Sequence, residues 1–215
     1  MERWGDTVSR WSEDRLHIRA KREGYRSRAA YKLIEIQQRF HVIRKNDCVI
    51  DLGAAPGSWL QVAREFTNGQ VTGVDLNEIQ PLEGVLTIRG DFSEPKVQEG
   101  IAEIVPRVDL IVSDASPRIT GHRSLDQARA IGLNMDVLVF ADRFLVDDGR
   151  IIIKSFQGDL FQEFLSGVRG RFGIVHLYRP HATRRGSAEI YVIGKRFRGS
   201  GAVADRPVRQ EDHEP

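Results

Sequence analysis

The amino-acid sequence predicts an α/β fold in which a mostly parallel sheet carries helices on both faces. From residue 48 onward, short runs of β-branched residues alternate with longer amphipathic stretches, which is typical of such sheets. A chain of 215 residues can form one sizeable core and is short for two. We therefore expect a single domain over residues 1–198, with the basic N-terminal region 1–45 included. Residues 199–215 lack aromatic and almost all aliphatic side chains, so we expect them to be a disordered tail.

Seven strands and four helices are predicted along the chain. The strands are expected over residues 48–52, 71–75, 85–88, 109–113, 151–154, 174–177 and 190–193. Helical periodicity covers residues 27–40, 58–66, 125–145 and 160–168. Asp147-Asp148-Gly149 is the turn expected before the fifth strand. The connection from Arg179 to Gly186 is too short for a crossover helix, so the last strand is predicted to run antiparallel to its neighbour.

Composition excludes several classes of protein. No apolar run approaches the ~20 residues that a membrane span needs, and the first residues lack the apolar stretch of a secretory signal. A cytoplasmic location is therefore expected. The single cysteine, Cys48, lies in an apolar run, which excludes a disulfide framework and indicates core packing. The histidines are scattered and no cluster has metal-ligand spacing, so no metal is expected in the chemistry.

Charge is unevenly distributed, although the formal net charge is only +2. Residues 1–45 contain twelve Lys or Arg against six Asp or Glu, and residues 171–198 contain seven against one. A solvated basic surface is one explanation for each region. Two basic ends that flank an acidic middle favour a nucleic acid lying across one side of the fold.

A turn of small residues follows the first predicted strand, in the sequence DLGAAPGSW at residues 51–59. Such a turn lets the backbone approach a ligand closely just before a helix begins. Ala55 replaces the second glycine of the GxGxxG fingerprint, and Pro56 stiffens the loop. The sequence therefore disfavours dinucleotide binding, and with it a nicotinamide oxidoreductase.

Polar side chains end the next strands, at the edge where open α/β sheets bind ligands. Asp75 follows the glycine turn by about 20 residues, the spacing of a carboxylate that accepts hydrogen bonds from ribose hydroxyls, and so implies adenosine. Asp91 offers a carboxylate for the adenine amino group, with Phe92 beside it. Asp114 and Lys154 end neighbouring strands, and a buried lysine requires a compensating anion. They are either an ion pair or a catalytic pair, and we favour catalysis.

Seven motifs resemble, in order, those of the FtsJ-like ribose 2'-O-methyltransferases, and they span nearly the whole core. They are SRAAYKLIEI at 27–36, DLGAAPGSW at 51–59, GVDL at 73–76, GDF at 90–92, SDASP at 113–117, IKSFQG at 153–158 and RPHATRRGSAEIYVIG at 179–194. The resemblance implies a Rossmann-like class I methyltransferase fold with S-adenosylmethionine as cofactor. The catalytic tetrad that it implies is Lys32, Asp114, Lys154 and Glu189. The donor-binding residues that it implies are Gly57, Trp59, Asp75, Asp91 and Asp114.

This tetrad suits methyl transfer to a ribose hydroxyl, which must lose its proton as the methyl group arrives. Lys154 is the candidate base, because a buried lysine beside a second ammonium, here Lys32, gives up its proton more readily. Asp114 would orient Lys154 and border the methyl donor, and Glu189 would hold Lys32 or the incoming ribose. Alternatively, in-line alignment supplies most of the rate and the lysines only stabilise the developing oxyanion.

Basic residues on both sides of the tetrad are the candidate RNA contacts. They are Arg19, Lys21, Arg22, Arg26, Arg28, Arg179, Arg184 and Arg185. The resemblance implies large-subunit (23S) ribosomal RNA as the partner and a uridine as the acceptor. Transfer RNA or an mRNA cap is the alternative acceptor, and a non-catalytic RNA-binding assembly factor is the alternative of another class. The intact tetrad disfavours the non-catalytic alternative.

Overall fold

The computed structural model describes residues 15–105, 107–117, 120–184 and 186–199. Within these ranges the chain forms one seven-stranded sheet in the order β3-β2-β1-β4-β5-β7-β6. The strands are β1 Val49–Leu52, β2 Val71–Asp75, β3 Val85–Arg89, β4 Val108–Ser113, β5 Leu145–Phe156, β6 Phe172–Tyr178 and β7 Glu189–Phe197. Strand β7 runs antiparallel to both β5 and β6, while β1 to β5 pair in parallel. The predicted α/β fold, its seven strands and the reversed last strand are confirmed.

The helices lie between the strands, as the pattern predicts. They are α1 Ala30–Phe40, α2 Ser58–Phe66, α3 Pro95–Ile104, α4 Arg123–Phe144 and α5 Phe161–Arg171. Residues 15–22 are also helical. The prediction started α1 three residues too early and missed α3, whose signal was a proline at the first helical position. Across the described ranges, no helix combines the length and apolar character needed to cross a membrane.

Strand β5 begins earlier than predicted, because its first residue already pairs with β4. Leu145 lies opposite Val108, and the register shifts before Arg150 pairs with Leu110. The turn predicted at residues 147–149 lies inside this irregularity, where Asp148 adopts a φ of 60°. Strand β5 therefore pairs with β4 on both sides of the turn. The longer paired part begins at Arg150 and ends where the parallel strands have their carboxyl ends.

Both faces of the sheet are covered, because its strands alternate their apolar side chains between two layers. Ile151 and Ile153 pack with Phe140 of α4 in one buried cluster. Ile152, between them, packs with Leu60 of α2 in the other. Helices α3, α4 and α5 thus cover one face, and α1 and α2 cover the other. This packing holds the carboxyl ends of the strands at one exposed edge.

A buried ion pair ties the loop after α1 to the sheet at the opposite edge. Arg150 donates from Nη1 to Asp47 Oδ2 and from Nη2 to Asp47 Oδ1, both at 2.8 Å. Nη1 also donates to Val42 O at 2.7 Å. The side chains of Arg150 and Asp47 are 4% and 7% exposed, so each charge depends on the other for compensation.

Replacing Asp47 with alanine should lower the free energy of unfolding by about 3–5 kcal/mol, because the Arg150 guanidinium would be left buried without its counter-ion. Urea denaturation measures the loss. Arg107→Ala is the matched control: it removes the exposed partner of Asp109 and should change stability little. Equal losses in the two variants would show that burial of the Arg150 pair does not matter.

Candidate active site

Two lysines and two carboxylates meet where the parallel strands end. Lys32 Nζ lies 2.6 Å from Glu189 Oε1 and 3.8 Å from Asp114 Oδ1. Lys154 Nζ lies 3.2 Å from the same Asp114 oxygen and also donates to the Asp114 main-chain carbonyl. The structure therefore brings together all four residues of the predicted tetrad. Their charges alternate in the order Glu189, Lys32, Asp114, Lys154.

The sheet places three of these four side chains. Asp114 follows β4 directly, and Lys154 lies two residues before the end of β5. The antiparallel register pairs Lys154 with Tyr191 and Phe156 with Glu189. The beginning of β7 is thereby set beside the end of β5, which brings Glu189 to the lysines.

Helix α1 supplies the fourth side chain from its first turn. Lys32 is 8% exposed there, and the start of α1 is held by a hydrogen bond from Trp59 Nε1 to Ala29 O at 2.8 Å. The Trp59 ring lies 5.8 Å from the Tyr191 ring, centroid to centroid. Trp59 is thus buried between α1 and β7 and contacts both elements.

Tyr191 is part of this cluster, and sequence reasoning missed it. Its hydroxyl lies 2.7 Å from Asp114 Oδ1 and 2.9 Å from Glu189 Oε1, and its one proton donates to either carboxylate in turn. Burial, followed by the two nearby carboxylates, raises the pKa of Tyr191 well above its ordinary value. The phenol therefore stays a neutral donor. The available signal was its position two residues after Glu189, because alternate strand residues share a face.

A cavity of about 570 Å³ opens beside Asp114. Asp75, Asp91 and Asp114 line it, so three of the five predicted donor-binding residues meet there. Asp75 Oδ2 accepts a hydrogen bond from Ala55 N at 2.9 Å, which fixes the small-residue turn against β2. The volume is that of a small-molecule site, for which about 300–1,000 Å³ is usual.

Gly57 and Trp59 are not among the residues that line this cavity in the structure. Gly57 has a φ of +104°, and a Cβ there would lie 2.7 Å from Arg26 Nη1, so the position requires glycine. Trp59 is 2% exposed and contacts Ala29 as described above. Packing explains the positions of both residues. Contact between them and a methyl donor stays a prediction, and main-chain atoms would make it.

Asp51 is a buried carboxylate at the end of β1 that sequence reasoning did not single out. Neither of its oxygens has a hydrogen-bond partner among the described residues. Burial, and then the charges of Asp114 and Asp75, raise the pKa of Asp51 well above its ordinary value of 3.8. A cationic ligand in the cavity that Asp75 and Asp114 line would oppose the effect of their charges on Asp51 and stabilise its carboxylate form. The residues present therefore fit S-adenosylmethionine, which carries a sulfonium and an ammonium.

The N-terminal candidates for RNA contact differ in their surroundings. Lys21 and Arg22 are exposed and Arg28 is half-buried. Arg19 is paired with Glu23 at 2.8 Å. Arg26 donates from Nη1 to the carbonyl of Pro56 at 2.8 Å and from Nη2 to that of Pro81 at 2.9 Å. The structure therefore gives Arg26 a role in holding the turn before α2, which the prediction of an RNA contact did not include.

The C-terminal candidates lie in the turn before β7. Arg179 is exposed, and its Nη2 donates to Arg184 O at 3.3 Å. Arg184 is exposed as well. Arg185 and the tail predicted at 199–215, apart from Gly199, lie outside the described residues. Within the described ranges, no group of three or more His, Cys, Asp or Glu side chains is arranged to hold a metal ion.

Comparison with known proteins agrees with the geometry. The profile of the FtsJ-like methyltransferases matches residues 25–197. The chain belongs to this family. It is 53% identical over 191 residues to "Ribosomal RNA large subunit methyltransferase E" of Methanoregula boonei, covering 89% of this chain and 99% of that protein. It is 54% identical over 201 residues to the protein of the same name from Methanoculleus marisnigri, covering 93% and 99%.

Solved structures share the fold of this FtsJ-like methyltransferase. A ribosomal RNA methyltransferase described from Plasmodium falciparum is 29% identical, with a TM-score of 0.74, and covers 81% of this chain and 100% of its own. Fibrillarin of Aeropyrum pernix, solved with natively bound S-adenosylmethionine, is 16% identical with a TM-score of 0.52, covering 71% and 68%. The second likeness concerns the fold alone. The predicted Rossmann-like methyltransferase fold is confirmed.

Asp51→Asn should raise the stability of the ligand-free protein at neutral and alkaline pH. The raised native pKa means that the folded state binds more protons than the unfolded state between about pH 4 and the native pKa, so wild-type stability falls as pH rises across this interval and levels off above it. The amide removes that loss, and the stability difference between variant and wild type should grow with pH. Urea denaturation at several pH values measures it, with exposed Asp147→Asn as control. A difference independent of pH would contradict the argument.

Proposed function

We propose that this protein transfers a methyl group from S-adenosylmethionine to a ribose 2'-hydroxyl of large-subunit ribosomal RNA, with a uridine as the acceptor. The observation that carries the proposal is the contact of one carboxylate, Asp114, with two buried lysines at the wall of a cavity lined by further carboxylates. The names of relatives 53% and 54% identical to this chain support ribosomal RNA as the substrate class.

The donor would be held by the carboxylates of the larger cavity. Asp75 would accept hydrogen bonds from the ribose hydroxyls and Asp91 from the adenine amino group. Helix α2 begins without a side-chain cap, and the N–H groups of its first turn, which includes Trp59, suit the carboxylate of the methionine part. Gly57 N donates to Ala54 O at 2.7 Å, so Gly57 would contribute close approach of its main chain and not a hydrogen bond. Asp51 and Asp114 would face its positive charges. When bound, S-adenosylmethionine supplies an electrophilic methyl group on its sulfonium.

The tetrad would act on the other partner of the reaction, the ribose hydroxyl. As the oxygen–methyl bond forms and the sulfur–methyl bond breaks, the hydroxyl proton would pass to Nζ of Lys154, after this ammonium has released a proton to solvent. Lys32 stabilises the negative charge that develops on the oxygen. Asp114 orients both lysines, Glu189 holds Lys32, and Tyr191 fixes the two carboxylates. A buried cluster with paired charges keeps this geometry before substrate arrives, which supports alignment as a large part of the rate.

RNA would lie across the two basic regions. The exposed residues Lys21, Arg22, Arg179 and Arg184 are the contacts that we retain, because their side chains face solvent and could meet phosphates. We assign donor, acceptor and RNA binding to one domain over residues 1–198. A ribosomal substrate also fits a cytoplasmic location.

Transfer of labelled methyl groups to purified large ribosomal subunits tests the reaction. Wild-type protein should place label in a 2'-O-methylated nucleoside, mapped by nuclease digestion. Lys154→Ala should lower kcat by roughly 10²–10⁴-fold, because the proton acceptor is lost, while the Kd for S-adenosylmethionine stays near that of wild type.

Lys195→Ala is the matched control, since Lys195 is a partly buried lysine on β7 that bonds to Phe40 O rather than to the tetrad. It should keep most of the activity. Label in transfer RNA instead would identify the alternative acceptor. RNA binding without consumption of the donor by wild-type protein would support the non-catalytic assembly factor.

Lys21→Ala and Arg179→Ala should each weaken RNA binding and reduce the slope of log K against log salt by about 1, because each would remove one phosphate contact. Titration of large-subunit RNA at several salt concentrations measures both quantities. Lys96→Ala, an exposed lysine of α3 outside both basic regions, is the control. An unchanged slope in the first two variants would remove those residues from the RNA surface.

A further inference from the structure

A second cavity, of about 370 Å³, lies next to the proposed donor site. It shares Ser116 and Pro117 with the larger cavity. Phe156, which ends β5 two residues after Lys154, and Ala188, which directly precedes Glu189, also line it. Two residues that line the cavity are thus close in sequence to Lys154 and Glu189, and none of the roles described so far uses the cavity.

The walls of this second cavity suit a flat, weakly polar group. Pro117, Ala130 and Phe156 supply apolar surface, and aromatic side chains are the usual stacking partners of unpaired bases. Lysine and arginine are missing from the described residues that line it, which disfavours a phosphate. The Asp126 carboxylate already accepts hydrogen bonds from Thr120 and Gly121, and these bonds hold the loop before α4.

One polar group of the cavity wall is left without a partner. The amide nitrogen of Gln127 is buried and has no hydrogen-bond partner among the described residues. The amide packs closely over Gly158, where a Cβ would overlap it. A buried donor of this kind costs stability unless a ligand accepts from it. A carbonyl oxygen on the edge of a base would be such an acceptor once the Gln127 amide turns from Gly158 toward the cavity.

We propose that this cavity binds the base of the acceptor nucleotide, turned out of the RNA, with Phe156 and Pro117 against the ring and the Gln127 amide hydrogen-bonded to its edge. The inference rests on the proposed function. A base and the 2'-oxygen are attached to adjacent carbons of one ribose, so an oxygen at Lys154 requires its base in the immediate surroundings. Enzymes that modify single nucleotides commonly seat a turned-out base in such a pocket.

Ala130→Leu fills the cavity from α4 without touching the tetrad. It should lower kcat/KM for large subunits at least roughly tenfold, because the base loses its stacking position, while the Kd for S-adenosylmethionine changes less than about twofold. Val139→Leu, a similar change at an exposed position of the same helix, should leave both values unaltered. Thermal unfolding checks that both variants fold.

Gln127→Leu tests the same cavity without adding bulk and should lower kcat/KM several-fold through loss of one hydrogen bond. The Gln127→Leu variant provides the test if Ala130→Leu fails to fold. A stricter measurement uses subunits reconstituted with RNA that lacks the base at the mapped nucleotide. Wild-type protein should methylate this RNA poorly, and Ala130→Leu should cause no further loss, because there is no base to displace.

Unchanged kcat/KM in Ala130→Leu and Gln127→Leu, with wild-type protein active, would overturn the base-binding cavity and leave the proposed function intact. Equal loss by Ala130→Leu on normal and base-free RNA would also overturn it, since the effect would then be structural. Failure of wild-type protein to methylate any RNA would instead overturn the proposed function.

Discussion

The antiparallel pairing of β7 with β5 is the constraint on which the proposed site depends. It brings Glu189 and Tyr191 beside Lys154, and Asp114 then lies between both lysines. Each ammonium has a carboxylate oxygen within 3.2 Å. Because two positive and two negative charges are paired, the cluster can be largely buried at less cost than an isolated ion. A parallel last strand would start at the other edge of the sheet, and Lys32 would lose its contact with Glu189, so that both lysines would share Asp114 alone.

The two cavities at this edge differ in chemistry because different elements line them. The larger one collects the carboxylates at or just after the ends of β2, β3 and β4, and neither buried oxygen of Asp51 has a hydrogen-bond partner among the described residues. The smaller one is lined mainly by α4 and the end of β5, with apolar surface from Pro117, Ala130 and Phe156 and no lysine or arginine among the described residues that line it. Uncompensated polar groups lower stability, and they concentrate at functional sites. Asp51 and Gln127 are two of the described residues with such atoms, and we assign one to each proposed substrate.

Much of the fold is predictable from local sequence. Parallel strands covered on both faces need nearly continuous apolar runs, and such runs predict every strand observed. Hydrophobic periodicity does not predict helix α3, because the helix buries only one hydrophobic residue, Ile101, beside Gln98. It does not predict the early start of β5 either, because pairing of Leu145 with Val108 depends on a register shift rather than on strand propensity.

The sequence by itself determined the order of the strands along the chain, the reversal of the last one, and the residue types of the tetrad and of three cavity carboxylates. The strands, the reversal and the side chains at the strand ends follow from periodicity, loop length and the rule that strand ends of an α/β sheet meet at one edge, while Lys32 and Glu189 follow from the resemblance to the FtsJ-like methyltransferases. Only the tertiary structure decided that Tyr191 joins the two carboxylates, that Arg26 bonds to Pro56 and Pro81, and that Asp51 has no partner. Each of these contacts depends on which distant segments pack together. A hydrogen bond between distant segments produces no periodic pattern in the sequence, so it cannot be predicted from periodicity.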